Sequence, residues 1–328
     1  MTIVAATSAA VALRRAADRA ILAPSVHNTQ PWRLHLSRDR LAVLADGTRR
    51  LRVLDPAGRQ LLISCGCAVL NARASLAASG FGVVVDRSAD PAQDEVLASM
   101  TLSGRPPDGA LAGLDPVIET RHTNRRQFCG DPVPEAVLAA LQHAADTEGA
   151  SLLVVRDDQQ RAAVAALSRH ADDIENLDPA YRAELRAWTT SDPSRRDGVP
   201  DLAVPRTDGA VRDDVPIRDF DAHGTGGLPA ATHPSRGETL ALLCTRGDSP
   251  ADWLRAGEAL ERVLLEITRY GYAASPLTQV TEVPATRALL RDELHLPGFP
   301  HLLLRIGRAP DAPAARRRRL ADVLVDER

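Results

Sequence analysis

The segment Ala23-Pro24-Ser25-Val26-His27-Asn28-Thr29-Gln30-Pro31-Trp32 places hydroxyl, imidazole and carboxamide groups between two prolines. A helix-type apolar pattern precedes it over residues 9–22, and alternating apolar residues follow it over 32–36 and 41–45. Because the residue before a proline avoids the helical region, we expect a helix, a polar loop and then a β-hairpin. The composition leaves open whether the loop binds a ligand or only satisfies local backbone groups.

Apolar periodicity along the rest of the chain predicts a layered α+β or α/β architecture. The predicted helices cover residues 60–79, 111–119, 134–145, 157–174, 179–188, 251–270 and 284–294. The predicted strands cover residues 81–85, 96–102, 151–155, 240–245 and 302–306.

The chain contains an apparent internal repeat. Gly66-Cys67-Ala68 is expected to begin a helix that ends at Gly80-Phe81, and Gly257-Glu258-Ala259 one that ends at Gly271-Tyr272, with identical spacing. Glycine ends many helices, so chance could produce the pattern. A tandem duplication would explain both the repeat and the length of 328 residues.

The segment 191–237 has six prolines, six glycines and little periodicity. A connection this long inside a compact domain is usually a lid or a disordered linker. Since it lies within the second half of the chain and not between the halves, we interpret it as a lid-like insertion.

Composition excludes several classes of protein. The formal net charge of −3 offers no field that would attract nucleic acid or an acidic membrane. All 40 basic residues are arginine, so an anion site must be built from guanidinium groups. Neither a membrane span nor a cleaved signal is expected. Four cysteines are too few for a disulfide scaffold, and their spacing does not suit zinc, so we expect buried thiols, no metal and a cytoplasmic location.

The order of residues in the opening segment, A-P-S-x-x-N-x-Q-P-W, closely resembles the flavin-dependent nitroreductase superfamily. Within it the chain is most similar to the Acg branch of FMN-binding proteins, in which both repeats lie in one chain. Residues 121–125 read Arg-His-Thr-Asn-Arg, similar to the R-x-[ST]-x-R pattern that nitroreductases use to hold the FMN phosphate. Two guanidinium groups and a hydroxyl are suitable donors for a dianion. Taken alone, this segment could also be a solvated basic turn or a nucleic-acid contact.

The C-terminal region resembles the family as well. Residues 274–279 are similar to the segment beside the isoalloxazine ring, and 294–307 to the last core strand. The run Arg316 to Arg319 occupies the place of the closing basic tail, although it could equally be a solvated tail.

The resemblance implies an α+β nitroreductase-like fold arranged as a pseudo-dimer within one chain. Residues 1–118 would form the first repeat, and 119–328 the second, which carries the insertion. The loop occurs once, in the first half, and the phosphate motif once, in the second, so we expect one FMN site between the halves and an empty, degenerate second site. A monomer would then suffice. The implied cofactor-binding residues are Ser25, His27, Asn28, Gln30, Arg121, Thr123, Arg125, Pro276, Leu277, Arg317 and Arg318.

The implied function is that of an FMN-dependent oxidoreductase, which moves a hydride or electrons between FMN and a small organic substrate. NAD(P)H would be the reductant, although no G-x-G-x-x-G fingerprint is present. No residue is singled out as a catalytic acid or base; His27 is the nearest candidate. An FMN storage protein with a covered flavin and a flavin-dependent biosynthetic desaturase are alternatives.

Overall fold

Two antiparallel β-sheets with helices packed between and around them make up the fold. The structure is a computed structural model, and it describes residues 8–88, 90, 95–204, 215–220 and 238–327. The elements of the first half are α1 (Ala9–Ala20), β1 (Trp32–Leu36), β2 (Arg40–Ala45), α2 (Arg59–Ala78), β3 (Gly82–Arg87), β4 (Val96–Ser103) and α3 (Gly109–Ala112). Those of the second half are α4 (Glu135–Thr147), β5 (Ser151–Val155), α5 (Asp158–Leu177), α6 (Pro179–Ala187), β6 (Thr189–Thr190), β7 (Val199–Pro200), β8 (Thr239–Thr245), α7 (Pro250–Arg269), β9 (Ala273–Leu277), α8 (Gln279–Glu282), α9 (Pro284–Glu293), β10 (Phe299–Gly307) and β11 (Leu324–Asp326).

The two large sheets have the same strand order. In the first sheet β1, β2, β4 and β3 follow one another, and in the second β5, β8, β10 and β9 do so. All of these pairs are antiparallel. The short C-terminal strand β11 crosses to the first sheet and pairs in parallel with β1, where Leu324 lies opposite Leu34. The segment 294–307 was expected to hold the last core strand, but β11 follows it.

One predicted helix is wrong. Residues 111–119 do not form a single helix, because α3 ends at Ala112 and a separate 3₁₀ turn follows over Asp115–Val117. Pro116 lies in that turn, and a proline inside a helix lacks the backbone donor and clashes with the preceding turn.

The two repeat helices, α2 and α7, cross at a pair of glycines. Each helix has 20 residues, and Gly66 and Gly257 are both the eighth, so the expectation that these glycines begin the helices is wrong. A Cβ atom built on Gly66 would lie 2.1 Å from the backbone oxygen of Leu254. One built on Gly257 would lie 2.0 Å from that of Ile63. The backbones therefore approach each other too closely for any side chain.

Both helices end in the same way. Gly80 and Gly271 have φ of 89° and 73°, a left-handed conformation that favours glycine. The next residue in each case, Phe81 or Tyr272, donates its backbone N–H over 3.0 Å to a carbonyl oxygen five residues earlier. This is a Schellman-type helix end. After it the backbone turns into the strand that follows the helix, which is β3 after α2 and β9 after α7.

Helix α2 is the centre of the core. Among the described residues it is the one helix long and apolar enough to cross a membrane, but 89% of that stretch is buried within the protein. Core helices of this kind pass the same test, so the length and composition of α2 are explained by its packing against α7 and the first sheet.

We predict that Gly66→Ala lowers the free energy of unfolding by about 1–3 kcal/mol, the usual cost of overpacking. The helix propensity of alanine alone would raise it by about 0.5–1 kcal/mol, so the sign distinguishes the two effects. Urea unfolding measures the difference. Gly109→Ala is the matched control, since a Cβ there meets nothing within 4 Å. A Gly66→Ala protein as stable as the wild type would contradict the close crossing.

Candidate functional site

The loop between α1 and β1 has an unusual backbone conformation. His27, Asn28 and Gln30 have φ of 45°, 55° and 49°, values that residues other than glycine adopt at a cost in energy. Such conformations persist where surrounding contacts hold them, and they cluster at functional sites. Inside the loop, the Ser25 hydroxyl accepts a hydrogen bond of 2.9 Å from the backbone N–H of Gln30. Its own proton remains available to a ligand.

The arginine-rich segment 121–125 lies against β9, although it is far from it in sequence. Thr123 forms a parallel bridge with Ala274, and the backbone N–H of Asn124 donates to the Ala274 oxygen over 2.9 Å. This contact brings the segment beside the loop, so two adjoining cavities share Pro24, Ser25, Thr123 and Arg125 in their walls.

The larger cavity has a mostly apolar lining. It lies between α2, α7 and β9, where Ile63 and Leu264 are among the lining residues. Three polar side chains in its wall have atoms buried without a hydrogen-bond partner among the described residues: both ring nitrogens of His27, Nε2 of Gln60 and Oγ of Ser275. Buried polar atoms are rarely left unbonded, so this wall is suited to a ligand with polar edges.

The smaller cavity has a lining that is about half polar. Its lining includes Asn28, Thr123, Arg125 and Arg317. Within the part of the chain that the structure describes, no carboxylate lies within 4.0 Å of either guanidinium group. Burial, reinforced by the neighbouring Arg218, lowers the pKa of Arg125 to about 10. Burial and Arg121 lower that of Arg317 to about 9. Two half-buried cations without acidic partners favour a bound anion.

Comparison with known proteins gives close relatives in one bacterium. The chain is 34% identical over 312 residues to "Putative NAD(P)H nitroreductase Rv3131" of Mycobacterium tuberculosis H37Rv, which covers 93% of this chain and 88% of the relative. It is 32% identical over 321 residues to "Putative NAD(P)H nitroreductase acg" of the same strain, covering 95% and 94%. The chain belongs to the Acg-like branch of the nitroreductase superfamily. No family model matches it.

Solved nitroreductases resemble this Acg-like chain more distantly. One is the FMN-dependent nitroreductase NfnB of Mycobacterium smegmatis in complex with NADPH, with a TM-score of 0.40 and 18% identity over 66% of this chain and 100% of that one. Another is a nitroreductase from Desulfovibrio desulfuricans in complex with FMN, with a TM-score of 0.40 and 16% identity over 66% and 96%. The family assignment rests on the sequence relatives.

In this Acg-like chain most of the residues implied by the resemblance lie together. Those that line one or both cavities are Ser25, His27, Asn28, Thr123, Arg125, Pro276 and Arg317. Four lie outside the lining. Gln30 and Arg318 are hydrogen-bonded to each other, and Leu277 packs in the hydrophobic core of the second sheet.

Arg121 is the fourth residue outside the cavity lining. It is buried, and its Nε lies 3.4 Å from Glu261 Oε1 on α7. Burial raises the pKa of Glu261 to about 7, although Arg121 opposes that rise. Arg121 is therefore paired with a buried carboxylate and lines neither cavity.

Four residues of the site were not found from the sequence: Gln60, Ser275, Arg218 and Phe220. Gln60 could have been noticed, because with Ser64 it puts two polar residues four apart in the largely apolar first half of the helix. Ser275 lies in a segment that the resemblance placed beside the flavin. Arg218 and Phe220 belong to the insertion, which has no periodic pattern.

The described parts of the insertion, residues 191–204 and 215–220, reach the site. The Phe220 ring packs edge-on against His27 at 5.4 Å, and the Arg125 guanidinium lies 4.9 Å from its centre. Arg218 is buried, ion-pairs with Glu175 and Glu282, and also donates to Tyr181. The rest of the expected lid, 205–214 and 221–237, lies outside the described residues.

We predict that His27 makes the folded protein less stable as the pH falls. Burial, with Arg218 and Arg125, lowers the pKa of His27 well below its usual value. Below about pH 6.5 the unfolded chain binds a proton that the folded chain excludes, so the free energy of unfolding falls by up to about 1.4 kcal/mol per pH unit. His27→Asn should remove this contribution. Asparagine tolerates the left-handed backbone at this position.

Urea unfolding of the flavin-free wild type and variant at pH 7.5, 6.5 and 5.5 measures the effect. Other buried histidines contribute to both proteins alike, as with His301, whose pKa burial and Arg287 lower to about 3. The difference between the two curves therefore reports on His27. Parallel pH profiles would show that His27 is not excluded from protonation.

Proposed function

We propose that this chain is an FMN-dependent oxidoreductase of the nitroreductase type, which uses NAD(P)H as reductant and acts on a small organic substrate. The observation that carries the proposal is the pair of joined cavities. One has an apolar wall with unbonded polar atoms, and the other contains two cations without acidic partners.

The residues present fit FMN. A flavin ring has apolar faces and a polar edge, which suit the walls of the larger cavity, where His27, Gln60 and Ser275 offer unbonded polar atoms. The phosphate needs charge-assisted donors, which Arg125, Thr123 and Arg317 can supply in the smaller cavity. The same fit would serve a flavin-dependent desaturase.

The protein's own contribution is to orient the cofactor and to control access to it. FMN, when bound, supplies the hydride and single-electron chemistry. The apolar wall excludes water from the ring, and the arginines fix the phosphate end. His27 is kept neutral by burial beside two arginines, so it could accept or donate a hydrogen bond without carrying charge. The proposed reaction assigns no proton transfer to a side chain.

We also propose that the chain is an internal pseudo-dimer, with residues 1–118 and 119–328 as its repeats. The shared strand order and the glycines at equal helix positions support this division. Aligning Gly66 with Gly257 matches each residue from α2 to β3 with the residue 191 positions later, in α7 to β9. A monomer would then hold a complete site. Four cysteines that are all free are consistent with a cytoplasmic location.

The correspondence also predicts which residues occupy the position of the second, degenerate cofactor site. Cys67, Leu264 and Thr278 line the larger cavity, and the residues that match them are Glu258, Arg73 and Arg87. These three form an ionic cluster around the buried Glu258, in which Arg73 and Arg87 each lie 2.6 Å from that carboxylate.

A further acid completes this cluster. Glu148 lies in the short turn that takes the place of the loop between α1 and β1, and it pairs with Arg73 at 2.6 Å and Arg262 at 2.7 Å. Although burial opposes the shift, these ion pairs lower the pKa of Glu148. Because these charges are already paired with one another, none is left to bind a phosphate, so we propose one FMN per chain.

One observation favours a second candidate function, flavin storage. Phe220 and Arg218 come from the insertion and line the larger cavity. Arg218 is held by Glu175 and Glu282, and Thr278 accepts a further hydrogen bond from it over 3.2 Å. A wall fixed in this way could keep substrates away from the ring.

We predict that fluorescence titration of the flavin-free protein gives one FMN per chain. Arg125→Ala should weaken binding by about 1.5–3 kcal/mol, the value of one hydrogen bond to a charged group. Arg38→Ala, an exposed arginine of the β1–β2 turn, is the matched control and should bind like the wild type. Absence of FMN binding by the wild type would refute the proposal, and two FMN per chain would refute the single site.

Anaerobic addition of NADH or NADPH to the FMN-bound protein separates the two candidate functions. An oxidoreductase should lose the visible absorption of its flavin within a catalytic turnover time. Nitroaromatics or quinones should then restore it. If neither nucleotide bleaches the flavin, and these acceptors leave dithionite-reduced flavin unchanged, storage is the better interpretation.

A further inference from the structure

Both donors of the Asn28 side-chain amide, and its oxygen once, are hydrogen-bonded to the protein. Its Nδ2 donates to the backbone oxygens of Gly198 at 2.9 Å and Arg316 at 3.0 Å. Its Oδ1 accepts from Arg317 Nη1 at 3.0 Å. A primary amide has two N–H groups, so no donor of Asn28 is left for a ligand.

The amide of Gln30 is used in the same way, and it contacts the same two remote segments. Its Nε2 donates to the backbone oxygen of Arg196 at 2.8 Å and to that of Asn28 at 3.3 Å. Its Oε1 accepts from the backbone N–H of Arg318 at 2.7 Å. The two amides therefore join the loop, the first part of the insertion and the C-terminal arginine run.

These bonds explain how the loop keeps its costly backbone. Asparagine visits the left-handed region more readily than most residues, whereas glutamine at 49° has no such preference. Contacts from two segments that lie more than 160 residues away fix both positions. A loop used only to link α1 to β1 would not need them.

The partners of Arg317 are all neutral. Its Nε donates to the Ala23 oxygen at 3.2 Å, and Nη1 donates to Asn28. No carboxylate lies within 4.0 Å of it in the described ranges. Neutral oxygen atoms orient a guanidinium group without cancelling its charge. Asn28 and Arg317 both line the smaller cavity, so the uncancelled charge faces a space where an anion can bind.

We propose that Asn28 is a positioning residue, which holds Arg317 as an uncancelled cation for the phosphate of the flavin and does not itself contact the ring. Gln30 is also a positioning residue: by accepting a hydrogen bond from the backbone N–H of Arg318, it holds the main chain of the arginine run in place. This inference rests on the proposed FMN site, and it differs from the flavin contact that the family resemblance implies for both residues.

Asn28→Asp tests the proposal, because aspartate keeps an acceptor for Arg317 but cancels its charge. Fluorescence titration should show FMN binding weakened at least about tenfold, as expected for one lost charge-assisted contact. Binding of riboflavin, which has no phosphate, should change by less than about twofold. The absorption spectrum of the variant saturated with FMN should match that of the wild type, since the surroundings of the ring are unchanged.

Arg317→Gln should give the same selective loss of FMN affinity. Arg316→Gln is the matched control from the same run, since that side chain is exposed, and it should bind both flavins normally. If Asn28→Asp fails to fold, as judged by circular dichroism, Asn28→Ala takes its place with the same expectation.

Two results would overturn the proposal. Equal weakening of FMN and riboflavin, or an altered flavin spectrum, would mean that Asn28 contacts the ring. Unchanged FMN affinity in both the Asn28 and the Arg317 variants would mean that the pair holds no phosphate. A wild type that binds neither flavin would instead refute the proposed function.

Discussion

The close crossing of α2 and α7 is the constraint on which the rest of the structure depends. Gly66 and Gly257 lie at the same position of the two helices, and each backbone occupies the space where the other would carry a side chain. This contact joins residues from both halves into one hydrophobic core. The same two helices form one part of the wall of the larger cavity, so the contact between the glycines fixes the position of that part.

The two sides of the helix crossing differ in a few side chains, which leave a cavity on one side and form ion pairs on the other. On one side Cys67 and Leu264 are small or apolar and leave a cavity. On the other, the matching positions carry Glu258 and Arg73, which are paired and buried. Isolated buried charges would be costly, but a mutually paired set is tolerated. If the two halves are repeats as proposed, the same arrangement of helices supports the proposed FMN site on one side and an ionic cluster on the other.

The sequence predicted most of the elements that have a regular period. The β1–β2 hairpin and both repeat helices could be placed because alternation and terminal glycines are local signals. Strand β9 was missed because Pro276 interrupts its pattern, and a proline is tolerated there since β9 is an edge strand. Of the site, Thr123 and Arg125 could be proposed from a motif. The pairing of Arg121 with Glu261 could not, because it joins residues 140 positions apart through packing alone.

Arginines in the core and arginines in the wall of the smaller cavity differ in whether they have carboxylate partners. Every basic side chain is arginine, and most of the buried arginines elsewhere in the fold have carboxylate partners, as Arg218 and Arg262 do. Arg125 and Arg317 lie in a cavity wall, and in the part of the chain that the structure describes neither has such a partner. Their partial burial disfavours the charged form, and under the proposed function an anion bound between them would offset that cost. Since a ligand that binds only the folded state stabilises it, occupation of this cavity and the stability of the chain are linked.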